Sequence, residues 1–275
     1  MAEVEIALPT IDLTLLRHGS EAAKREVARQ IDAACTEIGF FTLVGHGIPE
    51  DAIAEIRQQA VDFFALPHEE KMKVARPPQK ISRGYNWIGD RSVSYSLGKP
   101  APPDIQEAFA FGPENVAELA ARVDAASAAM YAANLWPQLP RGFKEVMLAY
   151  YAAMSALAAD VLRAMSAALG VSEPYFADKF DRHASLVRLI RYPAVTEPPL
   201  EGQLRAGTHT DYGVLTFVRG DDTPGGLQVK HRQGGWSGEE KYPPITVAEH
   251  YLAKVMKASH SRLDAKAADA VADAR

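Results

Sequence analysis

The sequence predicts an α+β fold. Helical periodicity fills most of the first two thirds of its 275 residues. Strand-like runs cluster after Asp181. The two kinds of text are segregated rather than alternating, which argues against repeated βαβ units.

The elements follow in order. Ile6 to Leu13 reads as an opening strand that ends in an Asp-led turn. Ser20 to Ile38 reads as a helix, with Ser20 as N-cap, Glu21 in the first turn and Gly39 as the stop. Its Ala23, Val27, Ile31 and Ala34 recur at helical spacing. Phe40 to Val44 is a short apolar strand closed by GHGIP, and Phe40, Phe41, Phe63 and Phe64 read as core. Helices are predicted over Glu50 to Phe64, over HEEKMKVA after Pro67, and over Arg141 to Leu169, with a short one from Ser172. Pro77 to Pro113 is rich in Gly, Pro and aromatics and reads as loop with short strands. SLVRLIRYP, GTHTDYGVLTFV and GGLQVKH read as strands, and VAEHYLAKVMKA as helix. A four-part division follows: 1–120, a helical connector over 121–182, a sheet region over 183–238 and a helical tail over 239–275.

Composition narrows the function. The chain is 47% hydrophobic and 24% charged, with net charge −5. No basic stripe invites nucleic acid or an anionic membrane. No apolar run is expected to reach the roughly 20 residues of a spanning helix. The N-terminal text lacks a signal-peptide pattern, so a cytoplasmic location is expected. The single cysteine, Cys35, excludes an internal disulfide framework and is expected to be a buried small side chain.

The chemistry points to GTHTDYG, residues 207–213. In a strand, His209 and Asp211 project from one face with Thr210 on the other. Imidazole plus carboxylate suits divalent iron, manganese or zinc. Arg188, Ile190 and Tyr192 share a face by the same period. Arg188 there either holds an anion or forms a surface ion pair. Tyr85, Asn86 and Trp87 either line a substrate wall or cover the sheet. His46 in GHGIP shapes a loop, and Arg205 is a solvated charge. A zinc hydrolase would need a third ligand and a base, and no HExxH spacing supplies them.

The text around these residues resembles the non-haem iron(II), 2-oxoglutarate-dependent dioxygenases, in the isopenicillin N synthase-like branch. The matching stretches are IDAACTEIGFFTLVGHGIPEDAI, FFALPHEEKMKV, RGYNWIGD, SLVRLIRYP, GTHTDYGVLTFV and DDTPGGLQVKHRQGGW. The resemblance runs from about Ile6 to Trp236. It implies a double-stranded β-helix, or jelly roll, preceded by a helical region. It implies iron(II) as cofactor, 2-oxoglutarate as cosubstrate, and dioxygen and a small molecule as the other reactants. Hydroxylation, desaturation, ring closure and ethylene formation are the expected outcomes. His209 and Asp211 are the implied iron ligands, and Tyr192 and Arg188 the implied cosubstrate contacts.

The pattern also departs from the family. A second histidine and an Arg-x-Ser are expected after the aspartate. The text passes instead from GGLQVKHRQGGWSG to EEKYPPITVAEHYLAKV. An internal block of the barrel is therefore expected to be missing. His231, His250 and His260 are the remaining downstream histidines. An incomplete barrel would expose strand edges and favour a homodimer. It also opens an alternative function, a catalytically inactive relative serving as a binding scaffold.

Overall fold

A computed structural model describes residues 8–77, 83–90, 102–128, 130–195, 198–207, 209–211 and 213–220. The chain divides into two compact units, and helices α3 (Glu50–Ala65) and α7 (Phe143–Ala168) have residues in both.

The first unit comprises Met1–Ile53, Ala152–His183 and Leu215–Tyr242. Strand β1 (Thr10–Asp12) pairs in parallel with β2 (Thr42–Val44), with Ile11 opposite Leu43. Helix α1 (Thr14–His18) follows β1, and α2 (Glu21–Glu37) separates α1 from β2. The predicted cap holds: Ser20 Oγ accepts from the Ala23 N–H at 3.3 Å, which satisfies one orphan amide. Gly39, at φ +84°, ends the helix, its N–H bonding to the Ala34 carbonyl at 2.8 Å. Val27, Ala28, Ile31 and Ala34 form the buried stripe. Cys35 lies one step round the helix from that stripe and is exposed, contrary to expectation. Phe40 is exposed as well, because it precedes the paired residues of β2. His46 shapes its loop as predicted, Nδ1 accepting from the Ile48 N–H at 3.2 Å. Arg17 of α1 holds Asp160 of α7 at 2.6 Å and the Gly45 carbonyl at 3.2 Å. A 3-10 turn, Glu173–Phe176, stands where the short helix after Ser172 is predicted.

The second unit comprises Ala54–Tyr151, Ala184–Val214 and Pro243–Arg275. Its sheet has β4 (Glu107–Phe111) at the centre, antiparallel to β3 (Gly84–Asn86) and β5 (Val187–Arg191). Short helices α4 (His68–Met72), α5 (Val116–Ala121) and α6 (Ala125–Ala128) complete it. An apolar cluster of Ile56, Phe63, Phe64, Tyr85, Phe109, Phe111, Phe143 and Met147 forms the core. Rings meet edge-on in it, as at Phe63–Phe109 with centroids 5.0 Å apart, the geometry that ring quadrupoles favour.

Helix α7 is long and apolar enough, by length and composition alone, to cross a membrane. This differs from the expectation above, because charges at both ends of an alanine-rich run disguise its length. Phe143 and Met147 bury its first turns in the second unit's core. Leu157, Val161 and Leu162 are buried further along.

Candidate metal centre

The strand register sorts the sheet residues by face. Gly84 pairs with Ala110 and Ala110 with Arg188. Asn86 pairs with Ala108, and Ala108 with Ile190. Directly opposed residues share a face, so Asn86, Ala108, Ala110, Arg188 and Ile190 stand together. The other face carries Tyr85, Phe109 and Leu189, with Glu107 opposite Arg191 at the end.

Tyr85 and Asn86 therefore point to opposite sides. Tyr85 is part of the core, and its hydroxyl donates to Glu107 Oε2 at 2.6 Å. The wall expected of Tyr85, Asn86 and Trp87 is not one continuous surface, because successive strand residues alternate. Asn86 is buried and its Nδ2 donates to the Gly84 carbonyl at 3.2 Å. Trp87 packs against the aromatic core. Tyr85 and Trp87 border a cavity of about 390 Å³, together with Lys71, Glu107 and Arg191.

Beyond β5 the chain reaches Tyr192. Burial pushes the Tyr192 phenol pKa up, with Arg188 opposing the shift and Asp104 adding to it. Asp104 itself is buried. It precedes β4 in a segment tied to the chain ahead of His209. The Ile105 N–H bonds the Leu204 carbonyl at 3.0 Å, and Gln203 Nε2 donates to the Pro103 carbonyl at 2.9 Å.

His209 Nε2 lies 3.5 Å from Asp211 Oδ1. Its Nδ1 is 2.7 Å from the Gly207 carbonyl. A carbonyl only accepts, so Nδ1 carries a proton toward Gly207, and Nε2 faces the Asp211 carboxylate, which an Nε2–H can also address. Both side chains are partly exposed. The Asp211 hydrogen bond raises the His209 pKa most; burial opposes it, and Gly207 and the charges of Asp211 and Asp104 add to it. The charge of Asp104 thus acts in the same direction on both Tyr192 and His209.

Residues 209–211 are not in a strand, although the sequence predicts one. Alternation fixes which side chains agree in direction, but a ladder needs a partner, and none pairs there among the described residues. The two donors still converge. Their chemistry fits a divalent metal with neutral imidazole and carboxylate preferences. Among the described residues no group of three His, Cys, Asp or Glu is arranged to hold a metal. His231, His250, His260, the GGLQVKH strand and the VAEHYLAKVMKA helix lie outside the described residues.

Sequence reasoning passed over Asp104 and Gln106. The signal was present in DIQEAFAF, where two polar residues stand just ahead of a buried strand.

Comparison with known proteins finds relatives over most of the chain. Residues 8–139 match the family model described as the non-haem dioxygenase in morphine synthesis N-terminal region. The homoarginine-6-hydroxylase 2-ODD-C23.1 of Arabidopsis thaliana is 36% identical over 241 residues, 84% of this chain and 70% of that protein. The validamycin A dioxygenase of Streptomyces hygroscopicus subsp. limoneus is 32% identical over 84% of this chain and 62% of its own length. A crystal structure of a full-length Neurospora crassa protein in complex with alpha-KG superposes with TM-score 0.62 at 30% identity. That match covers 78% of this chain and 63% of the Neurospora chain. The relatives carry one assignment: the chain belongs to the non-haem iron(II)- and 2-oxoglutarate-dependent dioxygenases, a family of oxidoreductases.

Proposed function

We propose that this chain binds iron(II) and 2-oxoglutarate and oxygenates a small molecule, with hydroxylation as the reaction class. The observation that carries the reading is the His209–Asp211 pair, with Nδ1 of His209 engaged by Gly207 and Nε2 facing the carboxylate, the nitrogen that would ligate a metal on losing its proton. The names of the relatives, hydroxylases and 2-oxoglutarate-dependent dioxygenases, support it. The homoarginine-6-hydroxylases among them support a small nitrogen-bearing substrate.

Bound iron(II) supplies dioxygen activation coupled to oxidative decarboxylation of 2-oxoglutarate to succinate. The chain's own residues have separate tasks. His209 and Asp211 hold the metal. Arg188 offers a planar fork of N–H donors that matches a carboxylate. The Tyr192 phenol, protonated at neutral pH like any tyrosine, is available as a hydrogen-bond donor.

A second reading, a binding scaffold without turnover, is favoured by one observation. The described residues supply two metal donors rather than three. Succinate formation from 2-oxoglutarate under iron(II), ascorbate and air separates the two. Formation that disappears in His209→Ala supports the oxygenase. No formation by a folded wild-type chain supports the scaffold.

A further inference from the structure

The sheet face that carries Tyr85 holds a charge imbalance. The cavity bordered by Tyr85 and Trp87 sets two cations, Lys71 and Arg191, against one carboxylate, Glu107. Among the described residues no other acid lines it. Glu107 is nearly spent. Its Oε2 accepts from Lys71 and Tyr85, and its Oε1 accepts from Arg191. A carboxylate has only about four lone-pair sites. Arg191 is not spent. One terminal nitrogen serves Glu107 at 2.6 Å, and among the described residues its other terminal nitrogen and its Nε have no partner. Its side chain is 49% exposed, so solvent or a ligand reaches it.

The rest of the wall is apolar. Trp87 packs on the aromatic core and also borders the cavity. Ile88 beside it is 48% exposed, a large apolar side chain left in water. His68 stands edge-on to Tyr85, with ring centroids 6.3 Å apart. The volume of about 390 Å³ falls in the range of small-molecule sites, about 300–1,000 Å³. All of these residues belong to the second unit. The ladder separates this site from the face expected to hold the cosubstrate. Arg191 opposes Glu107, whereas Arg188, three residues away in β5, opposes Ala110 on the other side.

We propose that this cavity is a second binding site, for a small aromatic carboxylate, on the sheet face opposite Arg188. The carboxylate takes the unspent edge of the Arg191 guanidinium, because that planar fork meets a carboxylate with two parallel N–H bonds. Its charge balances the surplus cation. Its aromatic body lies against Trp87 and Ile88 and removes exposed apolar surface from water. A neutral amide of the same shape keeps the ring but brings no charge and one oxygen fewer. A cation meets Lys71 and Arg191 as like charges. 2-Oxoglutarate has the carboxylates but no apolar body for Trp87 and Ile88. The site stands apart from the proposed oxygenase chemistry, and its occupant stabilises the folded chain as a ligand rather than as a reactant.

The test is calorimetric titration of the full chain, without metal or 2-oxoglutarate, with 2-naphthoate and 2-naphthamide as probes. Naphthoate is expected to bind roughly tenfold or more tighter than naphthamide. Arg191→Gln should remove that preference. Ile88→Glu, at an exposed position, adds a like charge beside the bound acid and should weaken naphthoate more than naphthamide. Arg188→Gln should leave both affinities unchanged. Equal binding of the two probes, or no binding of either, overturns the proposal. So does undiminished naphthoate binding in Arg191→Gln, or its loss in Arg188→Gln, which would place the acid on the other face. If Arg191→Gln fails to fold, Ile88→Glu decides, and unchanged naphthoate binding there overturns the proposal. No iron enters the titration, so failure of the oxygenase reading would show in the iron(II)–2-oxoglutarate absorption band and leave this result standing.

Discussion

The Tyr85 hydroxyl donates to Glu107 Oε2 across the β3–β4 pair at 2.6 Å, and this bond is one of three that converge on a single buried carboxylate. Lys71 Nζ reaches the same oxygen at 2.8 Å, and Arg191 Nη1 reaches Oε1 at 2.6 Å. One carboxylate therefore ties α4, β3, β4 and β5 together. Removing it leaves Lys71 buried beside no counter-charge. Glu107→Ala should cost about 3–5 kcal/mol, the usual penalty for breaking a buried pair from one side. Tyr85→Phe keeps the ring packing and loses one hydrogen bond to a charged group, for about 1.5–3 kcal/mol. Urea denaturation of the two variants checks both values and their order.

Acid should find the same carboxylate. Burial alone would raise the Glu107 pKa, but hydrogen bonds from Lys71, Tyr85 and Arg191 outweigh it and hold the pKa below the usual value. A depressed carboxyl contributes stability above its unfolded pKa, and that stability is lost as pH falls through the folded one. The melting temperature should therefore drop on acidification below about pH 4. Glu107→Gln should be less stable at neutral pH and show a shallower acid slope. Equal slopes in a pair of melting series would contradict this assignment.

Gly84 opens β3 at φ +83°, and a Cβ there would lie 2.3 Å from the Val74 carbonyl oxygen. The obstacle is backbone, so it cannot swing aside. Gly84→Ala should cost about 2 kcal/mol or more, from left-handed strain together with the clash. Calorimetric melting measures it, with Gly89→Ala as the control. Gly89 has a similar φ of +85° but open space around its Cβ.

Most helices were legible because their apolar period and caps are local. The prediction of Ser20 to Ile38 meets Glu21–Glu37, and Glu50 to Phe64 meets Glu50–Ala65. Strand β5 was equally plain in SLVRLIRYP. The sheet face was harder to read. Whether Tyr85 looks toward helices or toward Arg188 depends on its pairing with Phe109, which no local pattern announces. The same applies to residues 209–211, where His209 and Asp211 lie 3.5 Å apart but outside the strand that period two predicts. Cys35 failed by one helical step, because the buried stripe closes at Ala34.

Anaerobic titration of the purified chain with iron(II) and 2-oxoglutarate, followed by visible absorption, tests the central claim most directly. The account predicts a charge-transfer band from chelated 2-oxoglutarate, saturating at one iron per chain and disappearing in His209→Ala and Asp211→Ala. No band from a chain shown to be folded, or a band that survives both substitutions, would contradict it.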